Sequence, residues 1–318
     1  MKTGTRYVVL GGLAIIAVGL VAGGIAFLRG GLTAFGVPQS SPDEFRYVPA
    51  DASLLAYANV RDVMESAFRD SLGGLEPGLD GQREFHESTG IDVESDIDSV
   101  VASLSGDGGS LSGLVLLTGR FDAGRLEQLA QQQGSEVEEY AGHRLLTRTL
   151  EKGDLSMSFV EPGVLALGSP EMLHHAIDQA SGATVGDVTA NDQLMGLMTH
   201  VRGTDNAWAV AQFAGSDIMT LLPDEVVSQM PPVSAMAISG RFDQGVSATL
   251  TVEASDEQSG EDLQAVVQGF VAFARLQAGS RPAWQGFLDS VQLLRTGNMV
   301  TLTFDMPPEV LQLAIPER

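Results

Sequence analysis

The feature that most constrains this chain is an uncharged run of 22 residues near its start. Residues 7–28 read YVVLGGLAIIAVGLVAGGIAFL and lie between Arg6 and Arg29. A helix needs roughly 20 apolar residues to cross a bilayer, because each residue adds only about 1.5 Å. The run is therefore predicted to be a transmembrane helix, and the rest of the chain to fold on one side of a membrane.

The charges around the run predict its orientation. Lys2 and Arg6 precede it, whereas Arg29 follows it alone before the acidic pair Asp43 and Glu44. The positive-inside rule makes residues 1–6 a cytoplasmic tail and places the body outside a bacterial cytoplasmic (inner) membrane, on its periplasmic or extracellular side. A cleaved signal peptide, cut within 30–36, is the alternative. Its apolar core is usually only about 7–15 residues long, which favours an anchor. Residues 29–44, rich in Gly, Ser and Pro, are predicted to be a linker.

Small residues recur within the predicted membrane helix. Gly19 and Gly23 form a G-x-x-x-G motif, which lets two membrane helices approach closely. Self-association through this pair is one interpretation. The other is that Gly is simply common in membrane helices.

Composition excludes several kinds of partner and chemistry. Without Lys2, Arg6 and Arg29, 15 basic residues face 41 acidic ones, a formal charge of −26 on the body. Such a surface repels nucleic acid, so no nucleic-acid partner is expected. The absence of cysteine removes disulfides, thiolate nucleophiles and iron–sulfur clusters. No cofactor and no metal are expected.

Similar segments recur along the body and predict a duplication. Residues 54–60 (LLAYANV) reappear loosely as 207–213 (AWAVAQF), and Asp-hydrophobic-Met follows each of them at 62–64 and 217–219. Gly-Arg-Phe-Asp occurs at 119–122 and at 240–243. We interpret these matches as two related strand–helix repeats, 45–185 and 186–318. The predicted fold is α+β, with antiparallel strands backed by helices on one face of each repeat and sheets that are free to join.

Local patterns predict the elements of this fold. Asn59 or Arg61 opens a helix, Asp122 caps another, and Ser169-Pro170 begins a third. The predicted strands are 143–150, 155–160, 164–168 and 246–254; a long helix covers 260–278, and 291–294 pairs with 299–304 in a closing hairpin.

The repeated arginines Arg120 and Arg241 are candidate ligand-binding or structural residues. An arginine that recurs at a strand exit is suited to bind an anion. Alternatively, each arginine pairs with the acidic residue two positions on, Asp122 or Asp243, and fixes the turn.

His174 and Asp178 are the remaining candidates. They lie four residues apart on the helix that begins at Pro170 and share a face, so they could form a metal or hydrolase fragment. Full metal-binding and nucleophile motifs do not accompany them, which favours ordinary surface polarity.

Three short motifs resemble a loosely defined group of exported bacterial proteins. They are Val48-Pro49-Ala50-Asp51-Ala52, then Thr89-Gly90-Ile91-Asp92 with Asp96-Ile97-Asp98, and Gly119-Arg120-Phe121-Asp122. The likeness extends over most of 45–315. It implies α+β repeats behind an N-terminal anchor or signal, and no activity is attached to the group.

The predicted function is a non-catalytic binding or scaffold module of the bacterial envelope with a protein partner. Two alternatives stay open: a carrier of a hydrophobic envelope component, and a hydrolase that uses carboxylates or His174 with Asp178.

Overall fold

The computed structural model describes residues 43–67, 86, 89–106, 112–150, 153–183, 186–214, 231–278 and 282–310. These residues form a single antiparallel sheet of 12 strands that is backed by helices. The α+β class is therefore confirmed. The predicted membrane helix 7–28 lies outside the described residues. Within the described ranges, no helix combines the length and hydropathy needed to cross a bilayer.

The strands follow one another mostly through hairpins. In chain order they are β1 (Ala52–Ala58), β2 (Ile97–Ser105), β3 (Ser112–Gly119), β4 (Glu136–Tyr140), β5 (His143–Leu150), β6 (Gly153–Glu161), β7 (Val164–Gly168), β8 (Ala207–Gln212), β9 (Val233–Phe242), β10 (Val246–Ala254), β11 (Gln292–Thr296) and β12 (Met299–Met306). Across the sheet the order is β11-β12-β10-β9-β8-β1-β2-β3-β7-β6-β5-β4.

The described helices vary from a single turn to a long rod. The α-helices are α1 (Val60–Met64), α2 (Val93–Asp96), α3 (Ala123–Gln132), α4 (Pro170–Ala180), α5 (Asp192–Leu197), α6 (Glu257–Ala278) and α7 (Pro282–Ser290). Three 3-10 helices are η1 (Asp43–Tyr47), η2 (Val188–Ala190) and η3 (Met198–His200). The predicted caps are confirmed: side chains of Asn59, Asp122 and Ser169 accept backbone N–H bonds at the starts of α1, α3 and α4.

Helices cover both faces of the sheet. On the front face, which carries Leu55 and Leu116, the buried residues pack with Leu173 and Ile177 of α4. On the back face, Leu117 packs with Leu126 of α3. Also at the back, Phe304 of β12 packs with α6 and α7. The expectation of helices on one face is therefore wrong, because strands with apolar residues at successive positions need cover on both sides.

Three aromatic side chains pack together where β1 meets β8. Tyr57 of β1 stacks on Trp208 of β8, with ring centroids 5.9 Å apart, and Phe45 of η1 meets the same indole edge-on at 5.8 Å. Trp208 is 4% exposed. Two strands far apart in sequence thus join the first and second parts of the chain into one sheet.

The strand order is matched on the two sides of the β1–β8 pair. Outward from β1 the sheet continues β2, β3, β7 and β6, and outward from β8 it continues β9, β10, β12 and β11. In each part a three-strand meander is therefore followed by a later hairpin whose second strand pairs with the third strand of the meander. The parts differ in what precedes this hairpin: β4 and β5 in one, α6 and α7 in the other.

The Gly-Arg-Phe-Asp segments do not occupy equivalent places in this matched order. The first begins at the last residue of β3, whereas Gly240, Arg241 and Phe242 of the second still belong to β9, which corresponds to β2. The predicted strand exit at 240 is thus wrong by three residues. The match 62–64 with 217–219 has its second member outside the described residues.

Candidate functional site

Arg120 anchors the hairpin formed by β2 and β3. Its guanidinium donates to the backbone carbonyl of Ser95, and its Nη1 lies 3.8 Å from Asp98 Oδ1. The backbone N–H of Arg120 donates to Asp96 O at 2.7 Å. Asp122 is engaged elsewhere, since its Oδ1 accepts the Arg125 N–H at 3.0 Å as the cap of α3. Asp98, rather than Asp122, is thus the acidic partner that the structure gives Arg120.

Arg241 has a similar local role between β8 and β9. Its Nη1 donates to Thr204 O at 2.7 Å, and its Nε lies 3.5 Å from Asp243 Oδ2. Both arginines therefore hold the backbone just before the strand that pairs with their own. About half of each side chain remains exposed to solvent.

A buried carboxyl, Asp205, lies next to this second anchor and was missed by sequence reasoning. It is 3% exposed, and Ser239 Oγ donates to its Oδ2 at 2.5 Å. Burial raises the pKa of the Asp205 carboxyl. The neighbouring Asn206 side chain accepts from Phe242 N at 2.6 Å and donates to Phe242 O at 3.0 Å. These contacts hold the two residues before β8 against β9, and the local structure alone explains them.

His174 and Asp178 lie on the side of α4 that faces β4, and Tyr140 comes between them. The Tyr140 ring centroid is 4.2 Å from that of His174, and its hydroxyl donates to Asp178 Oδ1 at 3.1 Å. This hydrogen bond raises the pKa of the Tyr140 phenol. The carboxylate that a His174–Asp178 pair would use is thus engaged by a residue that the sequence analysis did not single out.

A cavity of about 310 Å³ opens beside this cluster, between α4 and the end of the sheet. Glu136 and Glu138 of β4, Thr147 of β5 and His174 of α4 are among its lining residues. His174 Nε2 is buried and has no hydrogen-bond partner. The arrangement offers the carboxylate oxygens of Glu136 and Glu138 to whatever enters. Among the described residues, no group of three His, Asp or Glu side chains is placed to hold a metal ion.

The other end of the sheet is apolar. On α6, Val266, Phe270 and Leu276 are 41%, 44% and 82% exposed, whereas Leu263 and Ala278 are buried. At 100° per residue these five positions extend around about 200° of the helix, wider than the stripe that a surface helix needs to face its core. The cavity between α6 and α7 is smaller, about 230 Å³, and is lined partly by Arg275 and Asp289.

Comparison with known proteins gives a fold likeness. No family model matches the chain, and no curated protein sequence matches it. A crystal structure of TP0453 (crystal form I) superposes with a TM-score of 0.50 and 12% identity, covering 86% of this chain and 97% of that one. Crystal form III of TP0453 gives a TM-score of 0.47 and 10% identity, over 86% and 98% of the two chains. At such identity the likeness shows the arrangement of the fold and nothing about activity.

Proposed function

We propose that this protein is a membrane-anchored binding module, held by a helix at 7–28 with its body on the extracytoplasmic side. Two related repeats, 45–185 and 186–318, would form that body. The matched strand order on the two sides of the β1–β8 pair supports a duplication. The uncharged run supports the anchor.

The observation that carries the binding role is the exposed apolar face of α6. Monomeric proteins seldom leave several large apolar side chains together in water, and where they do, the patch often marks an interaction site. Val266 and Phe270 are neighbours at i and i+4, and Leu276 lies on the adjoining side of the same helix. A partner that covers them would remove three large side chains from water.

A protein partner fits this surface better than a small hydrophobic molecule. Carriers bind their ligands in concave, mostly apolar sites of about 300–1,000 Å³. Near α6 the described cavity is about 230 Å³ and includes the charged side chains of Arg275 and Asp289. The apolar residues instead lie on the outer surface of a helix, and a convex surface of this kind packs against another protein element.

Site-specific photocrosslinking in the native host tests this proposal. A photoreactive phenylalanine replaces Phe270, and a matched probe replaces Gln268, which is exposed on the polar side of the same helix. We expect one envelope protein to be captured from position 270 and not from 268, and the Val266→Glu change to abolish that capture. Capture of lipid alone, or equal capture from both positions, would contradict a protein-binding role for this face.

A further inference from the structure

Strand β4 forms one edge of the sheet, and its turn determines which of its backbone groups are open. Ala141 and Gly142 connect β4 to β5 with φ values of 47° and 82°, as a two-residue type I′ turn requires. In such a hairpin the flanking pair, Tyr140 with His143, exchanges hydrogen bonds, and alternate pairs do the same. The N–H and C=O groups of Val137 and Glu139 therefore point away from β5.

These open groups lie between two kinds of side chain. On the front face, Glu136 and Glu138 are exposed beside the cavity under α4. On the back face, Val137 is 44% exposed, and Leu155 of nearby β6 is exposed to the same extent. A strand added at this edge would meet two carboxylates on one of its faces, and Val137 together with the carboxylate of Glu139 on the other.

The cavity adds a feature that simple edge protection does not need. Prevention of pairing with other chains is by itself a sufficient reason for charged residues on an edge strand. Here, however, two of the glutamates line a cavity whose wall includes His174. A primary ammonium has three donors and no acceptor, and the two carboxylates that line the cavity supply charged acceptors for it.

Charge also determines which strand fits. A second copy of β4 would bring Glu136, Glu138 and Glu139 of the two chains together, and like charges on paired strands are destabilising. A basic segment would instead gain attraction from the formal charge of −23 on the whole chain.

We propose that β4 accepts an extended, basic segment of another protein as an additional strand, with a lysine of that segment entering the cavity lined by Glu136, Glu138 and His174. Backbone bonds to Val137 and Glu139 hold the segment, and an apolar residue on its other face covers Val137. This is strand addition at a sheet edge, in which main-chain bonds provide affinity and side-chain pockets provide specificity. The surface is at the opposite end of the sheet from α6, so it does not depend on the function proposed above.

The test uses the full chain in nonionic detergent and a capped seven-residue peptide in which lysine and valine alternate. Binding is measured at about 0.15 M salt, where long-range attraction is largely screened. A peptide with the same side chains but N-methylated backbone groups serves as the ligand control. We expect the plain peptide to bind and to slow amide exchange at Val137 and Glu139, and the methylated peptide to do neither.

Two protein variants distinguish main-chain hydrogen bonds to the added strand from general charge attraction. Val137→Pro removes an N–H that points away from β5, which an edge strand tolerates, and Val137→Thr keeps it. We expect a loss of about tenfold or more in affinity for Val137→Pro and little change for Val137→Thr, because only the first loses a main-chain donor.

The carboxylates are tested in the same way. The pair Glu136→Gln with Glu138→Gln should weaken binding by about tenfold, since it removes both charged acceptors. The control pair Glu171→Gln with Asp192→Asn removes two exposed charges that do not line the cavity and should have a much smaller effect. Equal losses in both pairs, equal binding of the methylated peptide, or no exchange protection at Val137 and Glu139 would overturn the proposal.

Discussion

The two ends of the sheet carry different additional elements, although the strand order from the centre outward is the same on both sides. Beyond β7 and β6, the first part of the chain adds the hairpin β4–β5, which ends in an acidic, open edge. At the same position in the chain, the second part has α6 and α7, which lie against the back of β12. The two halves of this sheet thus carry unlike surfaces, because a strand pair precedes the last hairpin in one half and two helices precede it in the other.

The largest expected effect comes from the centre, where the two parts meet. Trp208→Ala removes a side chain that is 4% exposed and that stacks on Tyr57. We expect a loss of about 3–5 kcal/mol in the free energy of unfolding, because a large cavity forms between both parts. Chemical denaturation followed by circular dichroism measures it.

Trp284→Ala is the matched control for that change, since Trp284 of α7 is only partly buried, against the cluster of Phe287 and Leu288 at one end of the sheet. Its expected cost is smaller, about 1–2 kcal/mol. Equal losses in the free energy of unfolding for the two variants would mean that stability is not concentrated where β1 meets β8. The centre of the sheet would then contribute no more than its ends.

A smaller effect is expected where α6 is fastened to the sheet. Arg295 of β11 is 22% exposed at its side chain, and it donates to Gln264 and Glu261 of α6 at 3.1 Å each and to Gly297 O at 2.7 Å. Arg295→Met keeps the apolar stem and removes these bonds. We expect a loss of about 1–3 kcal/mol, with faster amide exchange in the first turns of α6.

Arg144→Met is the corresponding change at the acidic end. Arg144 pairs with Glu127 at a side chain that is 54% exposed, so its ion pair should contribute no more than about 1 kcal/mol. A larger loss in the free energy of unfolding for Arg144→Met than for Arg295→Met would mean that the acidic end is held more strongly than α6, contrary to the structure.

The smallest effect is a gain at the turn of β4 and β5. Ala141 has a φ of 47°, a conformation that asparagine adopts more readily than alanine, and Gly142 follows it. Ala141→Asn creates the preferred Asn-Gly pair and should raise the free energy of unfolding by about 0.5–1 kcal/mol. A neutral or negative result from the same denaturation measurement would show that this turn stores no strain.

Much of the fold could be predicted from local patterns. The strands at 143–150, 155–160, 164–168 and 246–254 and the closing hairpin lie where alternation and turn residues indicate them. The long helix begins at Glu257 rather than 260, because Asp256 caps it by accepting the Ser259 N–H at 2.7 Å. Short-range chemistry of this kind can be found in a single sequence.

Other features depend on contacts between distant residues and could not be predicted. Strand β4 contains three glutamates in five residues, a composition that disfavours strands, and pairing with β5 overrides it. The contact of Tyr140 with His174 and Asp178 requires β4 to lie beside α4, which no spacing reveals. The repeated Gly-Arg-Phe-Asp indicated equivalent positions, yet the two copies share only a local hairpin contact.

The stacking of Trp208 on Tyr57 has a consequence for how the chain is made. Synthesis proceeds from the N-terminus, so β1 and η1 emerge long before the strand that covers them. Until β8 is synthesised, one edge of β1 is apolar and unpaired. The contact of Tyr57 with Trp208 forms slowly, because it joins residues that are far apart in the chain. We expect a product that stops short of β8 to leave this edge of β1 open and to aggregate more readily than the complete chain.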